Sequence, residues 1–389
     1  MSATYDFVVI GGGIGGVAAA YELSQHGRVC LLERENVLAY HTTGRSAAIS
    51  MESYGNRHIR ALTCASRAFF EQPPAGLSEV PLCSPRGALI VATAEREAQL
   101  RQRFAVVAEQ VPSARLLDRQ QVLACAPYLA AQRWAAGIHE PSAFDLDVHA
   151  IHATFLAGLR RNGGEVRRNQ ELLAGRRSAG SWQLTTSEGA LRAAVVVNAA
   201  GSWADECARR CDVPGIGMQA LRRTVLSVDP GCDVQHTPYL GTLDEDIFIK
   251  PEGGRLIVSP CDETPSAPCD AAPEELDLAI TMERLEQATA LRPTRILNRW
   301  AGLRNFVADR TPVLGSDPQA EGFIWFAALG GYGIQTAPAA ARLCSAAARG
   351  AQVPGDLQLT GLQLATFSPQ RCREGQLSTQ PLKPVAQLH

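Results

Sequence analysis

Phe7-Val8-Val9-Ile10-Gly11-Gly12-Gly13-Ile14-Gly15-Gly16-Val17-Ala18-Ala19-Ala20-Tyr21-Glu22-Leu23 decides the fold. Phe7 to Ile10 form a short unbroken apolar run, the pattern of a strand in a parallel sheet covered on both faces. Glycines interrupt it, and the residues from Val17 to Leu23 are helical in character until Gly27 stops them. Arg28-Val29-Cys30-Leu31-Leu32-Glu33 then forms a second strand. Strand, crossover helix and parallel strand fit within about 27 residues, a minimal βαβ unit.

Each glycine of Gly11-x-Gly13-x-x-Gly16 has its own task. Gly11 permits the tight turn, Gly13 lets a pyrophosphate approach the backbone, and Gly16 allows helix to pack closely on strand. The helix start, at Ile14 and Gly15, offers unpaired N–H groups and a positive dipole end to phosphates. Glu33 follows Gly13 by 20 residues, where its carboxylate can accept hydrogen bonds from ribose hydroxyls. The combination points to an adenine dinucleotide cofactor. A glutamate there disfavours a 2′-phosphate, and hence NADP, but does not separate NAD from FAD.

Charge composition removes other chemistries. The 389 residues carry 37 basic and 39 acidic side chains, a formal charge of −2. Lys250 and Lys383 are the only lysines, so the other 35 basic residues are arginines. No Gly-Lys-Ser/Thr loop exists, which rules out a P-loop nucleotide hydrolase. A pyridoxal-phosphate enzyme would depend on Lys250, since Lys383 lies in a polar C-terminal stretch. Near-zero net charge with scattered arginine doublets argues against nucleic acid as a partner. No run of about 20 apolar residues is present to span a membrane. No secretory signal opens the chain, so a cytoplasmic location is expected, with peripheral membrane association left open. The 11 cysteines, Cys207 and Cys211 being the closest pair of helical spacing, follow no zinc pattern, and no metal is expected.

The α/β texture returns around 146–198 and again at Gly322-Phe323-Ile324-Trp325-Phe326-Ala327-Ala328, which is followed by a glycine turn and an alanine-rich helix. Between these blocks lie mixed segments with short β-rich runs such as Ile247-Phe248-Ile249-Lys250. The expected organisation is a discontinuous dinucleotide domain over 1–80, 145–215 and 300–370. A second domain over 81–144 and 216–299 is inserted into it, and 371–389 is expected to fray.

Further motifs occur in order: His41-Thr42-Thr43-Gly44-Arg45-Ser46-Ala47-Ala48, Asn198-Ala199-Ala200-Gly201-Ser202-Trp203, Gly302-Leu303-Arg304, and Gly330-Gly331-Tyr332-Gly333-Ile334-Gln335-Thr336. With the opening turn they resemble the FAD-dependent D-amino acid oxidase superfamily, and within it the bacterial D-arginine and D-amino acid dehydrogenases, from Asp6 to about Arg371. The resemblance implies an α/β fold, with a Rossmann-like FAD domain of glutathione-reductase type and an inserted α+β, mixed-sheet substrate domain. It implies FAD bound non-covalently by the opening turn, by Glu33 and Arg34, and by Thr43, Gly44, Arg45, Ser46, Ala47 and Ala48. Val166 would pair with the adenine through its main chain. Ala199, Ala200, Gly201, Trp203, Gly302 and the run Gly330 to Thr336 would complete the cofactor site.

The same resemblance implies that Arg304, with Arg223 as a second arm, holds a substrate carboxylate in a planar fork. Alternation along a strand allows only one of Arg222 and Arg223 to face the pocket. Tyr54 matches a pocket tyrosine, and the Gly331 carbonyl would accept a substrate N–H. Ile49, Ala88 and Phe248 stand where D-arginine dehydrogenases carry a histidine, a glutamate and a tyrosine. Each change removes a polar group, so a cationic side chain would enter without its counter-charge. The expected activity is oxidative deamination of a D-amino acid with a neutral, apolar or aromatic side chain. Glu52 is the nearby acid that would rescue a cationic substrate. Alternatives are N-alkyl or cyclic imino acids, 2-hydroxy acids, or service as the flavin subunit of a larger complex. Lys250 is the one candidate for an oxygen-activating lysine, although its motif matches the dehydrogenases. The electron acceptor is not identified by the sequence.

Overall fold

A computed structural model describes residues 3–293 and 295–373. Its first sheet is built on the opening motif. Strand β1 (Ala3–Ile10) turns into helix α1 (Ile14–Ser24) and returns as strand β2 (Val29–Leu32), parallel to β1 with Phe7 opposite Val29 and Ile10 opposite Leu32. On the far side of β2 lies Glu165–Arg167, and on the far side of β1 lies Gly189–Asn198, both parallel. Phe323–Ala327 extends the parallel set beyond Asn198. β2 is buried at all four positions, as expected of a strand covered on both faces.

One layer over this sheet consists of α1, Val148–Arg161 and the long C-terminal helix Gly333–Ala348. It encloses a core that includes Val9, Val17, Leu31, Phe155, Phe326 and Leu343. The opposite face is closed by a second core with Val8, Trp182, Ala204, Cys207, Cys211 and Trp325. α1 is almost wholly buried, which explains its run of alanines and glycines. The Cys207 and Cys211 thiols are buried, and burial pushes that of Cys211 up to about 12. Among the described residues no cluster of metal-ligating side chains occurs. Among them, too, no helix is long and apolar enough to cross a membrane.

The second sheet is mixed and draws on two distant stretches. Ala88–Ala92, Arg115–Asp118 and Ala136–Glu140 come from the first, and the strands from Gln219–Val228 onward come from the second. They meet where Ala88–Ala92 runs parallel to Tyr239–Thr242, pairing Ala88 with Tyr239 and Val91 with Thr242. The boundary expected at 300 falls inside a strand. Ile296–Phe306 pairs antiparallel with Gln219–Val228 along nearly its whole length, so it belongs to the second sheet.

The fraying expected from 371 onward does not begin there. Pro369–Cys372 forms a short 3-10 turn with Cys372 buried, and Arg371 binds Asp309 and the carbonyls of Thr311 and Pro312. Arg373 forks onto both oxygens of Asp317, at 2.9 and 2.6 Å. Residues 374–389 lie outside the described residues. Burial alone would raise the Asp317 carboxyl, but Arg373, the Trp325 ring N–H and the Gln319 backbone N–H hold it below its ordinary value.

That clamp yields a stability prediction. Asp317→Ala leaves a part-buried guanidinium unpaired and is expected to cost about 3–5 kcal/mol in denaturant unfolding. Because the folded-state value is depressed, the contribution is full above the usual carboxylate range and is lost only as pH falls below it. The gap between wild type and variant should therefore persist from neutrality to near pH 4 and close only in stronger acid. An equal gap at all acid pH values, or none at neutrality, would contradict the clamp.

Candidate active site

The turn after β1 is shaped by backbone contacts that leave no room for side chains. Gly11 has φ +107°, and a Cβ there would lie 2.4 Å from the Ala199 carbonyl oxygen. A Cβ on Gly16 would lie 1.7 Å from the carbonyl oxygen of Gly11. Gly13 caps α1 without any side-chain cap, so the helix start keeps open N–H groups. One of them, on Ile14, donates to Thr43 Oγ1 at 3.0 Å, tying the 41–48 segment to the turn. Glu33 accepts from the Gly12 and Glu35 backbone N–H groups at 2.7 and 2.9 Å, which fixes its carboxylate at the end of β2.

Two cavities open along this turn and share Gly13, Thr42, Thr43, Ala199 and Gly201, forming one elongated trough. Its first end is walled by Gly11, Glu33, Arg34, Ala200 and Trp203, together with His41. Arg34 sits over the Trp203 ring at 3.9 Å, and His41 packs on the same ring at 4.6 Å. Val166 is not among the walls. It pairs with Leu31 at the sheet edge, while Gln170, Glu171 and Leu172 line the trough instead.

The middle is walled by Ile14, Gly15, Arg45, Ser46, Ala47, Ala48, Gly302, Gly330, Gly333, Ile334 and Gln335. Arg45 does not reach inward for a ligand. Its guanidinium holds the carbonyls of Ala271 and Ala301, at 2.8 and 3.0 Å, and pairs with Asp270. Gly16, Gly44, Tyr332 and Thr336 stand behind the walls as packing residues. Thr336 donates to the Tyr332 carbonyl at 2.9 Å, and Tyr332 caps Gly333–Ala348 with no side-chain bond. That helix start is therefore open toward the trough.

At the far end stand Ile49, Tyr54, Arg223, Phe248, Arg304 and Gly331. Arg304 makes one hydrogen bond among the described residues, a long one to Tyr54 Oη at 3.5 Å. A Cβ on Gly331 would lie 2.5 Å from the Arg304 guanidinium carbon, so only glycine lets that fork lie flat against the turn. Arg222 and Arg223 do take opposite faces of their strand. Arg223 enters the wall, and Arg222 pairs with Glu274 and Asp277 behind it. The Arg223 guanidinium is already engaged, by the Asp262 carbonyl at 2.7 Å and by Glu263 at 3.2 Å. Burial would raise the Glu263 carboxyl, but Arg310 and Arg223 hold it below its usual range.

Several expectations about the far end need correction. Ala88 is buried but outside the walls, which take Ile90 from the same strand. Glu52 faces away and pairs with Arg67 at 3.2 Å. Lys250 is buried with its Nζ on Glu252 at 2.7 Å and near Asp145 at 3.6 Å, outside the trough. An entirely uncharged side-chain pocket is not found, because Arg103 and Glu245 both stand in the wall. They were missed because nothing in their local sequence marks them. Only the pairing of Ala88–Ala92 with Tyr239–Thr242 brings the two stretches together. Tyr239 and Cys261 were missed likewise. Burial raises the Tyr54 and Tyr239 phenols and pushes the Cys261 thiol up to about 11, so this wall stays protonated at neutral pH.

Glu140 sets where Tyr54 stands. Its buried carboxylate accepts from the backbone N–H groups of Glu52 and Ser53, at 2.7 and 3.3 Å, and from the Ser53 hydroxyl. It thereby anchors the loop that ends in Tyr54.

The profile of the FAD dependent oxidoreductase family named DAO matches residues 6–347. Human mitochondrial dimethylglycine dehydrogenase is 24% identical over 353 residues, covering 84% of this chain and 40% of that protein. The chain thus spans well under half the length of that relative. Glycine oxidase of Geobacillus kaustophilus is 23% identical over 359 residues, covering 87% and 91%. Its crystal structure superposes with a TM-score of 0.82 at 20% identity, covering 94% of this chain and 98% of that one. L-Proline dehydrogenase from P. horikoshii gives 0.84 at 18%, covering 97% and 100%. The trough fits FAD on its own geometry. The bare turn and open α1 start suit a diphosphate, Glu33 suits a ribose, and the uncapped Gly333–Ala348 start suits an electron-rich ring. From Asp6 to Ala347 the chain belongs to the DAO family of FAD-dependent oxidoreductases.

Proposed function

We propose that this chain is a dehydrogenase that oxidises the Cα–N bond of a D-amino acid, giving the 2-oxo acid and ammonia. Arg304 carries this reading. Its guanidinium faces the trough beside the Gly330 turn with only one long hydrogen bond of its own, so it is ready for a carboxylate. Arg223 supports it with charge, its fork being held by Glu263 and Asp262. The D configuration is supported by the resemblance of the sequence motifs to D-amino acid dehydrogenases alone, since the relatives above are named for dimethylglycine, glycine and L-proline. The secondary reading is an N-alkyl or cyclic amino acid, or a 2-hydroxy acid. It is supported by relatives named for dimethylglycine and glycine, because one carboxylate clamp serves all of these.

FAD, held non-covalently, supplies the two-electron acceptor for a hydride leaving Cα. Arg304 grips the substrate carboxylate and turns the Cα–H bond toward the middle of the trough, an orientational contribution. Tyr54 steadies Arg304, and the Gly331 carbonyl accepts an N–H of the amine. The open start of Gly333–Ala348 favours negative charge developing nearby. Tyr54, Tyr239 and Cys261 keep their protons, so none of these three takes the amine's proton, and the amine enters neutral. The resulting iminium is hydrolysed by water to the 2-oxo acid and ammonium.

Dehydrogenase rather than oxidase activity is supported by Lys250, which is committed to Glu252 and Asp145 outside the walls. The electron acceptor is then another molecule, and its identity is open.

Anaerobic bleaching of the bound flavin by D-amino acids, compared with L-amino acids, N-methyl amino acids and 2-hydroxy acids, tests the reading directly. Failure of every D-amino acid would sink it. Arg304→Leu is expected to lower the reduction rate at limiting substrate roughly 10²- to 10³-fold while keeping its flavin. Gly16→Ala should weaken flavin retention roughly 10- to 100-fold, seen as a lower flavin-to-protein absorbance ratio. Lys250→Met, reduced and then mixed with air, should reoxidise at the wild-type rate, and a marked slowing would assign the lysine an oxygen-activating part.

A further inference from the structure

Arg103 is the charge in the trough that the proposed chemistry leaves unused. It projects from helix α3 (Glu97–Gln110) into the same wall as Tyr54, Tyr239 and Phe248. No hydrogen bond or ion pair joins its guanidinium to another described residue. Its Nη1 is shut off from solvent without a partner. A desolvated cation left in this way is costly, and a ligand anion removes the cost.

Its surroundings reinforce the point. Arg60, on helix α2 (Arg57–Glu71), lies close enough for the two positive charges to disfavour one another, and its own contact is a 3.4 Å bond to the Gly55 carbonyl. Glu245 shares the wall, and its charge and that of the buried Glu140 act on Arg103 without a hydrogen bond or ion pair to it among the described residues. Tyr54 and Tyr239 line the same cavity as Arg304 and Arg103, and Tyr54 is hydrogen-bonded to Arg304. A molecule anchored at Arg304 shares this cavity with Arg103.

We propose that Arg103 receives a second carboxylate, so that the preferred substrates are amino acids bearing one on the side chain or on the nitrogen. The inference rests on the amine-oxidation reading above and narrows its substrate class.

Two measurements on the flavin-loaded protein separate the inference from its parent. In the first, a non-reacting dicarboxylate (glutarate) and its monocarboxylate counterpart (butyrate) are titrated while the flavin absorption is followed. The dicarboxylate is expected to bind roughly 10- to 100-fold more tightly. Arg103→Met should abolish that preference and Arg103→Lys should keep part of it. In the second, D-aspartate and D-glutamate are compared with their side-chain amides in anaerobic flavin reduction, with the same preference expected. Equal binding of the two probes, or an equal loss of both in Arg103→Met, would overturn the proposal. Arg103-dependent glutarate binding without reduction by any amino acid would instead overturn the amine-oxidation reading and leave the anion site standing.

Discussion

Everything in the active site hangs from a place where backbone touches backbone. At the end of β1 the chain reverses so tightly that Gly16 lies against the Gly11 carbonyl and Gly11 lies against Ala199. That contact sets the angle at which α1 leaves the sheet. It therefore sets where the open N–H groups point, how far Thr43 must reach, and how the 198–203 segment lies beside the turn. A methyl at Gly16 would push helix from strand, and one at Gly11 would push the turn off Ala199.

The parts legible in the sequence are those carried by local spacing. The opening turn, its acid at Glu33, and the small-residue segment at Asn198 each declare themselves within a few residues, because steric demands on the backbone leave few residue types to choose from. Arg304 was legible for a related reason, since it stands beside motifs that recur in order. Arg103, Glu245 and Tyr239 were not. An arginine on an amphipathic helix looks like any solvated arginine until a parallel pairing some 150 positions away in the chain folds it inward. Register explains other misses as well. Ala88 and Ile90 share a strand face, yet only Ile90 reaches the wall. Lys250 follows Phe248 on its strand but turns to two carboxylates. The start of the expected tail fell too early, at Arg371, because nothing local reveals that Asp317 waits as a buried partner for Arg373.

The arginine-rich composition also gains a structural meaning. Most of these side chains are tethers between segments rather than ligands. Arg45 staples the 41–48 segment to Ala271 and Ala301, Arg222 binds a helix to the second sheet, and Arg310 pins Glu263 behind Arg223. Arginine suits this work because one rigid planar group satisfies several carbonyls or a whole carboxylate at once. With so many committed, an arginine in the trough without a partner among the described residues stands out as available for something that comes from outside.

The order of strands in the first sheet has a consequence for biosynthesis. β1 leaves the ribosome long before its neighbour Gly189–Asn198, and Phe323–Ala327 emerges later still. Contacts this distant in sequence slow folding and leave strand edges exposed in the meantime. The turn that grips the diphosphate is thus synthesised early but remains half a binding site until the Gly333–Ala348 helix exists. Cofactor capture therefore waits for segments far apart in the sequence to come together.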